Sequence, residues 1–523
     1  STAESFVPRS GKVKLFVDGR YHEQADIECD TDLVDIIKVP HGEGIRSSLK
    51  DYLKNSGLKN IACEGDRVSV DFYRYLNQEH NLSVIIDQPF NEIYALDQVK
   101  QLNPIKQLST DLCGLSVKDK IDLINRNDHH AYYVNAIDSL SWLTNCRGYH
   151  LPNLSSFLGK AIVVKDKVFV FVKPGIDVEC EDESIEFVTI TGNIIAESIK
   201  KIISYYKLEK IFIDETMLNA ADYLILEQMA GQNNLEHKKG GLVEFHSLKN
   251  EGEITSIKDS FKRADKAIYN TICWVKKSLA KNEKVSELDL SLKTTEMYKE
   301  QGAKEQSFGT IAGCDANGSL IHYGDPKADV FIKPESMVLL DSGGYFESGF
   351  ATDTTRTFMG AEQEGSERHK RVYTLVLKGT LNLQNAVFKQ GTKGIGLDAI
   401  CRQPLFQAGF DYAHGTGHGV GIHVHEGGVG ISSNANYELK PGQVVSIEPG
   451  IYIPGFGGVR LENIALVKEH PKFDGFLMFE PLVYIGFEPK LIDESMLNKQ
   501  ELTWLEEYEA ECVKRGTSFL MML

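Results

Sequence analysis

Five side chains that suit hard metal ions follow one another between residues 341 and 462. Asp341 stands in LLDSGG, Asp353 in TDTTRT, His418 in HGTGHGVG, Glu448 in SIEPGIY and Glu462 in VRLENI. Four carboxylates and one imidazole are about what two adjacent divalent cations require. Such a pair can share a water and lower its pKa enough to give hydroxide near neutral pH, which points to hydrolysis. The donor set is oxygen-rich and has no thiolate. It favours Mn²⁺, with Co²⁺ or Zn²⁺ also able to occupy it.

The elements around these residues have to bring them together. Asp341 ends a buried apolar run, where a carboxylate must be paired, hydrogen-bonded or metal-bound. Asp353 follows twelve residues later, which fits two antiparallel strands joined by a glycine-containing loop with both acids on one face. In HGTGHGVG the glycines make a helix unfavourable, so a loop or a glycine-rich strand is expected. Either would let the backbone come close to a crowded centre. Glu448 ends a Val-Val-x-Ile strand, and Pro449 and Gly450 then force a turn. Glu462 is expected inside a strand over Arg460–Val467, and alternation puts it on the face of Arg460 and opposite Leu461.

Over 523 residues, 42% hydrophobic and 25% charged, the composition is that of a globular protein of two to four domains. A formal charge of −17 argues against nucleic acid or an anionic membrane as partner. Nine cysteines without a C-x-x-C pair read as free thiols in a reducing, cytoplasmic setting. No signal peptide and no membrane-length apolar run is visible. The chain begins at Ser1 with no Met, which leaves open a removed targeting segment.

Three domains are expected, over 1–112, 113–247 and 248–523. The first mixes short β runs (Val13–Val17, Ser83–Ile86) with polar helices. The second opens on the helix of VKDKIDLINRN, continues through AYYVNAIDSLSWLTNCRG as strand, short helix and turn, and contains a hairpin in AIVVKDKVFVFV and a strand in KIFIDET. The third opens on an amphipathic helix with Phe261, Ala264, Ile268, Ile272, Val275 and Leu279 in register. A second long helix is expected over Glu367–Gln390, with Val372, Val376, Leu383 and Val387 on one face and Gly391 as its stop. The fold class is multidomain α/β and α+β.

Taken together, HGTGHGVG, VHEGG, SIEPGIY, GVRLEN and the closing run FEPLVYIGFEPKLID resemble the aminopeptidase P branch of the pita-bread metallopeptidases, in its three-domain form. The likeness is strongest over 300–512, moderate over 115–250 and thin before that, where DGRY at Asp18–Tyr21 is the best anchor. It implies two creatinase-like N-terminal α/β domains, the second a degenerate copy of the first one's plan, and a C-terminal pita-bread catalytic domain. In the family the DGRY element comes well into the first domain, so the opening part of that domain is expected to be missing, through truncation or as a shorter natural form.

The resemblance also implies roles. Asp341 and Asp353 become the pair that includes bidentate and bridging ligands, His418 the single imidazole ligand, Glu462 the second bridging ligand, and Glu448 a terminal ligand that also handles protons. His322 and His425 match positions that stabilise the tetrahedral intermediate and contact the scissile carbonyl or the residue after it. His414 matches the wall of the proline pocket, and Arg460 a site arginine paired with acids near the metals. His423 has no match and is read as structural. The expected activity is release of the N-terminal residue from peptides with proline in second position, by an activated hydroxide. Prolidase, which takes only dipeptides, shares all five ligands and is the alternative; a non-catalytic pita-bread peptide- or protein-binding module, methionine aminopeptidase and metal-free creatinase-like hydrolysis fit less well. A homodimer is expected; Leu502, Leu505 and Tyr508 of a C-terminal helix over Glu501–Val513 could serve it, or could pack within their own domain.

Overall fold

The structure is a computed structural model that describes residues 3–8, 11–40, 43–85, 102–191, 194–361 and 363–522. The chain divides into two compact units, Leu53–Ser256 and a second built from Ser1–Tyr52 together with Ile257–Leu523.

The Leu53–Ser256 unit is built on a six-stranded mixed sheet in the order Ile185–Thr189, Val168–Val172, Lys160–Val163, His130–Val134, Lys210–Ile213, Leu235–His237. The hairpin expected in AIVVKDKVFVFV pairs Val163 with Val168 in antiparallel register. KIFIDET supplies the strand Lys210–Ile213, parallel to His130–Val134. VKDKIDLINRN folds as the helix Val117–Ile124, started by a capping box between Ser116 and Asp119, and it buries Val117, Ile121 and Ile124. The β run expected at Ser83–Ile86 is the strand Asn81–Ile85; Ile86 lies outside the described residues.

The other unit begins with three strands, Ala3–Phe6, Val13–Val17 and Val34–Lys38, the first pair antiparallel and the second parallel. Val17 leads straight into the turn Asp18–Tyr21, closed by the Tyr21 amide on the Asp18 carbonyl at 3.0 Å. The long helix Glu251–Ala280 carries the expected stripe into this unit, where Phe261, Ala264, Ile268, Ile272 and Val275 are fully buried.

Two β layers follow. One is three-stranded, with Met337–Ser342 between Ile311–Cys314 and Thr354–Met359. The other is six-stranded in the order Val387–Lys389, Phe476–Pro481, Asn463–Glu469, Val444–Ile447, Gly417–Gly419, Glu426–Ile431. The helices Glu367–Gln384 and Gly394–Gln407 pack on them through cores that include Val376, Leu381 and Leu405 on one side and Leu383, Leu397 and Val445 on the other.

Two expected elements differ. The second long helix ends at Gln384 and does not reach Gln390. Val387, placed on its apolar face, is 47% exposed and begins a short strand that pairs with Phe476–Pro481. A β-branched Val387 followed by an aromatic Phe388 gains more from that sheet edge than from one more helical turn. The strand expected over Arg460–Val467 is two strands, Gly457–Arg460 and Asn463–Glu469, in different sheets. Leu461 and Glu462 lie at the crossing, so the face of Glu462 is decided by that crossing and not by alternation.

Candidate active site

The antiparallel pair Met337–Ser342 and Thr354–Met359 sets Asp341 opposite Thr355. Asp353, two residues from Thr355, shares its face, and both acids point into one cavity of about 660 Å³. His418 comes from the Gly417–Gly419 strand, where the register slips at a bulge between His418 and Gly419. That strand lies so close to Val444–Ile447 that a Cβ on Gly417 would stand 1.9 Å from the Ser446 carbonyl oxygen, which is why a glycine must sit there. Glu448 follows the end of Val444–Ile447, and its amide bonds the Thr416 carbonyl at 2.8 Å. Glu462 is tied in by its amide on the Thr355 carbonyl at 3.1 Å. The five side chains singled out by their types thus line one cavity, together with His322, His414, His425 and Arg460. His423 does not line it.

The polar contacts are directional. Arg460, 2% exposed, donates through Nη2 to Asp341 Oδ2 at 2.6 Å, through Nε to Thr355 Oγ1 at 3.0 Å and through Nη1 to the Tyr452 hydroxyl at 2.9 Å. Thr355 Oγ1 donates to Glu462 Oε2 at 3.0 Å, and Ser446 Oγ to Glu448 Oε1 at 3.1 Å. His418 Nδ1 bonds the Gly419 carbonyl at 3.0 Å, which puts its proton there. Its Nε2 faces Glu448 Oε1 at 3.2 Å and Asp353 Oδ2 at 3.5 Å.

These contacts are unbalanced without a cation. Asp341 Oδ1 and Glu462 Oε1 are buried with no hydrogen-bond partner among the described residues. Burial pushes the Asp353 carboxyl up to about 7 against the pull of His418, and burial together with the neighbouring acids pushes Glu462 well above the carboxylate range. Burial also raises Asp341, and Arg460 only partly offsets it. A neutral His418 would aim the Nε2 lone pair at two carboxylates; burial opposes charging it, yet Asp353 and Glu448 raise its pKa well above the ordinary value. Donor atoms of Asp353, His418 and Glu462 lie within 4.8 Å of one another. A ring N–H held by a backbone carbonyl, the opposite ring nitrogen turned toward carboxylates, and carboxylate oxygens without a hydrogen-bond donor are what a metal centre requires. The residues fit divalent cations.

The histidines are held differently. His414 uses both nitrogens, Nδ1 on the Gly415 carbonyl at 2.8 Å and Nε2 on the Tyr452 hydroxyl at 2.9 Å, so it offers the cavity a ring face. Burial lowers its pKa to about 4. His425 stacks edge-on against His418 at 4.3 Å between centroids, and neither of its nitrogens has a partner among the described residues. The charge of His418, with burial, lowers it to about 3. Burial, with Arg460 and Arg20, lowers His322 to about 3 as well.

Sequence reasoning missed four contributors. Arg20 and Tyr21 line the cavity, and Asp18 holds the Arg20 guanidinium at 2.6 Å. Thr355 and Tyr452 join Arg460 to Glu462 and to His414. DGRY was visible as a motif, but nothing in its local pattern says that it meets residues three hundred positions later.

The model of metallopeptidase family M24 matches residues 255–469, and that of the C-terminal region of peptidase M24 matches 475–521. Two models of the creatinase/prolidase N-terminal domain match 4–89 and 97–253. A probable Xaa-Pro aminopeptidase P of Sclerotinia sclerotiorum is 33% identical over 446 residues, 80% of this chain and 72% of that protein. Another, of Sordaria macrospora, is 32% identical over 97% of this chain and 87% of its own length. In fold, the crystal structure of X-prolyl aminopeptidase from Caenorhabditis elegans, described as a cytosolic enzyme with a di-nuclear active site, superposes with a TM-score of 0.88 at 24% identity, over 98% of this chain and 86% of that one. The expected architecture of creatinase-type N-terminal domains and a pita-bread domain is therefore present. With motifs, fold and these relatives in agreement, the chain belongs to metallopeptidase family M24, among the proteins named Xaa-Pro aminopeptidase P.

Proposed function

We propose that this chain is a metalloaminopeptidase that removes the N-terminal residue from peptides with proline in second position. The carrying observation is the cavity itself, where four carboxylates, two of them (Asp341 and Glu462) with an oxygen that has no partner among the described residues, converge with His418 Nε2 and are walled by His322, His414 and His425. Asp341, Asp353, His418, Glu448 and Glu462 hold two divalent ions, with Mn²⁺ favoured by the hard donors. Bound there, the ions supply Lewis acidity and bring a water's pKa near neutrality.

The chain's own groups do the rest. Arg460 balances Asp341 and fixes its orientation. Burial works to raise Glu448, but the hydrogen bond and charge of His418 hold it at about 2. Ser446 Oγ orients Glu448 by its hydrogen bond to Oε1, and the carboxylate takes the proton of the attacking water and returns it to the proline nitrogen. His425, with free ring nitrogens, donates to the oxygen that becomes negative. An X-Pro bond has no N–H to satisfy, and the His414 ring face suits a pyrrolidine.

Packing that ring contributes roughly 1–3 kcal/mol over a smaller side chain. Arg-Pro-Pro is therefore expected to be cut at least tenfold faster than Arg-Ala-Ala, with free arginine as first product. Equal rates would remove the proline assignment, and cleavage of Arg-Pro alone would replace the reading with prolidase.

The proposal extends to a homodimer in a reducing, cytoplasmic setting. Among the described residues no helix is long and apolar enough to cross a membrane. The C-terminal helix, Lys499–Arg515, spends its apolar face internally: Tyr508 and Cys512 lie in the core, with Trp504 and Leu505 packed on it. The helix Gly394–Gln407, in contrast, exposes Ile395, Ile400 and Phe406, a surface open to a second copy. Light scattering at micromolar concentration is expected to give twice the 58.5 kDa chain mass, and a monomer would remove this part of the proposal.

A further inference from the structure

We propose that Tyr21 is a positioning residue for this site: its phenol donates to His322 Nδ1 and so holds the imidazole in the tautomer that points an Nε2–H into the cavity. The inference rests on the reading of the cavity as a peptidase site and adds to it a residue from the N-terminal segment.

The contact is specific. The Tyr21 hydroxyl lies 2.7 Å from His322 Nδ1, and the two rings meet edge-on at 5.3 Å between centroids. The turn carrying Tyr21 is fixed. Asp18 accepts from the Arg20 amide and Nε, each at 3.0 Å, and from Nη2 at 2.6 Å. A Cβ on Gly19 would stand 2.8 Å from the Ala413 Cβ, so the turn sits flush against the segment that presents His414.

The direction of the bond follows from counting hydrogens. A neutral imidazole carries one N–H, and a phenol one O–H. Were the proton on Nδ1, it would occupy the Tyr21 oxygen, and the phenol hydrogen would have no acceptor among the described residues. With the proton on Nε2, the phenol hydrogen has Nδ1 as its acceptor, and only the Nε2–H is left for a group in the cavity. His322 Nε2 has no partner among the described residues and His322 lines the cavity, so the N–H faces the place a substrate carbonyl would take. The bond on one ring nitrogen thereby decides what the other offers. Losing the phenol lets the tautomers mix, and the fraction with Nδ1–H presents a lone pair to a carbonyl oxygen.

Two measurements test this. Long-range ¹H–¹⁵N correlation spectra of the full chain loaded with diamagnetic Zn²⁺, with His322 assigned by its loss in His322→Gln, are expected to show an unprotonated Nδ1 in the wild type. They should show a mixture in Tyr21→Phe, which keeps the ring packing. With Mn²⁺ and Arg-Pro-Pro, Tyr21→Phe is expected to lower kcat by roughly 10-fold while KM stays within about twofold, and to have no further effect in a His322→Gln background. A protonated Nδ1 in the wild type, an unchanged single tautomer in Tyr21→Phe, or an undiminished loss in the His322→Gln background would each overturn the proposal. The wild-type tautomer decides it even if Tyr21→Phe does not fold. If the wild type fails to cut Arg-Pro-Pro, the peptidase reading falls while the spectra still judge Tyr21.

Discussion

Asp353→Asn is expected to reduce kcat/KM on Arg-Pro-Pro by at least about 10³-fold and, at the same time, to make the metal-free protein more heat-stable above neutral pH. Both effects have one cause. Asp353 is 5% exposed, and burial pushes its carboxyl from 3.8 up to about 7. A carboxyl whose folded pKa is raised contributes stability that is complete below its unfolded value and is lost as pH rises through the folded one. The melting temperature of the metal-stripped wild type should therefore fall as pH climbs from about 4 to about 7. The asparagine variant should show a shallower fall, since Glu462 and Asp341 still carry raised values. Added Mn²⁺ at a hundred times its Kd stabilises the wild type by about 2.7 kcal/mol, a rise of several degrees for a unit this large. The variant should not respond. Near-normal turnover of Asp353→Asn without excess metal would end the dinuclear assignment.

The second large effect is expected at His425. Its ring nitrogens have no partner among the described residues, it lines the cavity, and its ring meets that of His418 in a T-shaped contact. A neutral imidazole placed there can donate to a developing oxyanion, so His425→Ala should lower kcat by roughly 10²–10³. It supplies none of the clustered donor atoms of Asp353, His418 and Glu462, so metal content measured by elemental analysis should stay that of the wild type. Loss of metal in the variant would make His425 a ligand. An unchanged kcat would remove it from the reaction.

Much of this was legible in the sequence because it is local. Each of the five acids and imidazoles stands in a short motif whose apolar run, glycine or proline sets the strand end or turn beside it. The stripe Phe261 to Leu279 declares its helix through period alone, and the strands of AIVVKDKVFVFV declare their hairpin through β-branched runs around a polar turn. The antiparallel placement of Asp341 and Asp353 followed from a twelve-residue spacing. These features depend on neighbours in the chain, so composition and spacing suffice to read them.

What depends on distant partners was decided by the tertiary structure. Val387 left the expected helix because a strand ninety residues later offered an edge to pair with. Glu462 reached the cavity at a crossing between two sheets, with Thr355 holding both its amide and a carboxylate oxygen, and alternation within one strand could not foresee this. The C-terminal helix kept its apolar face at home because Tyr508 and Cys512 fill the core beneath it. Above all, Ser1–Tyr52 forms one compact unit with Ile257–Leu523, and so Arg20 and Tyr21 stand at a cavity whose other residues begin near position 308. The sequence by itself determined which side chains could do chemistry and the short elements that carry them. Only the folded chain decided which of those side chains meet, because hydrogen bonds across three hundred residues leave no trace in local periodicity.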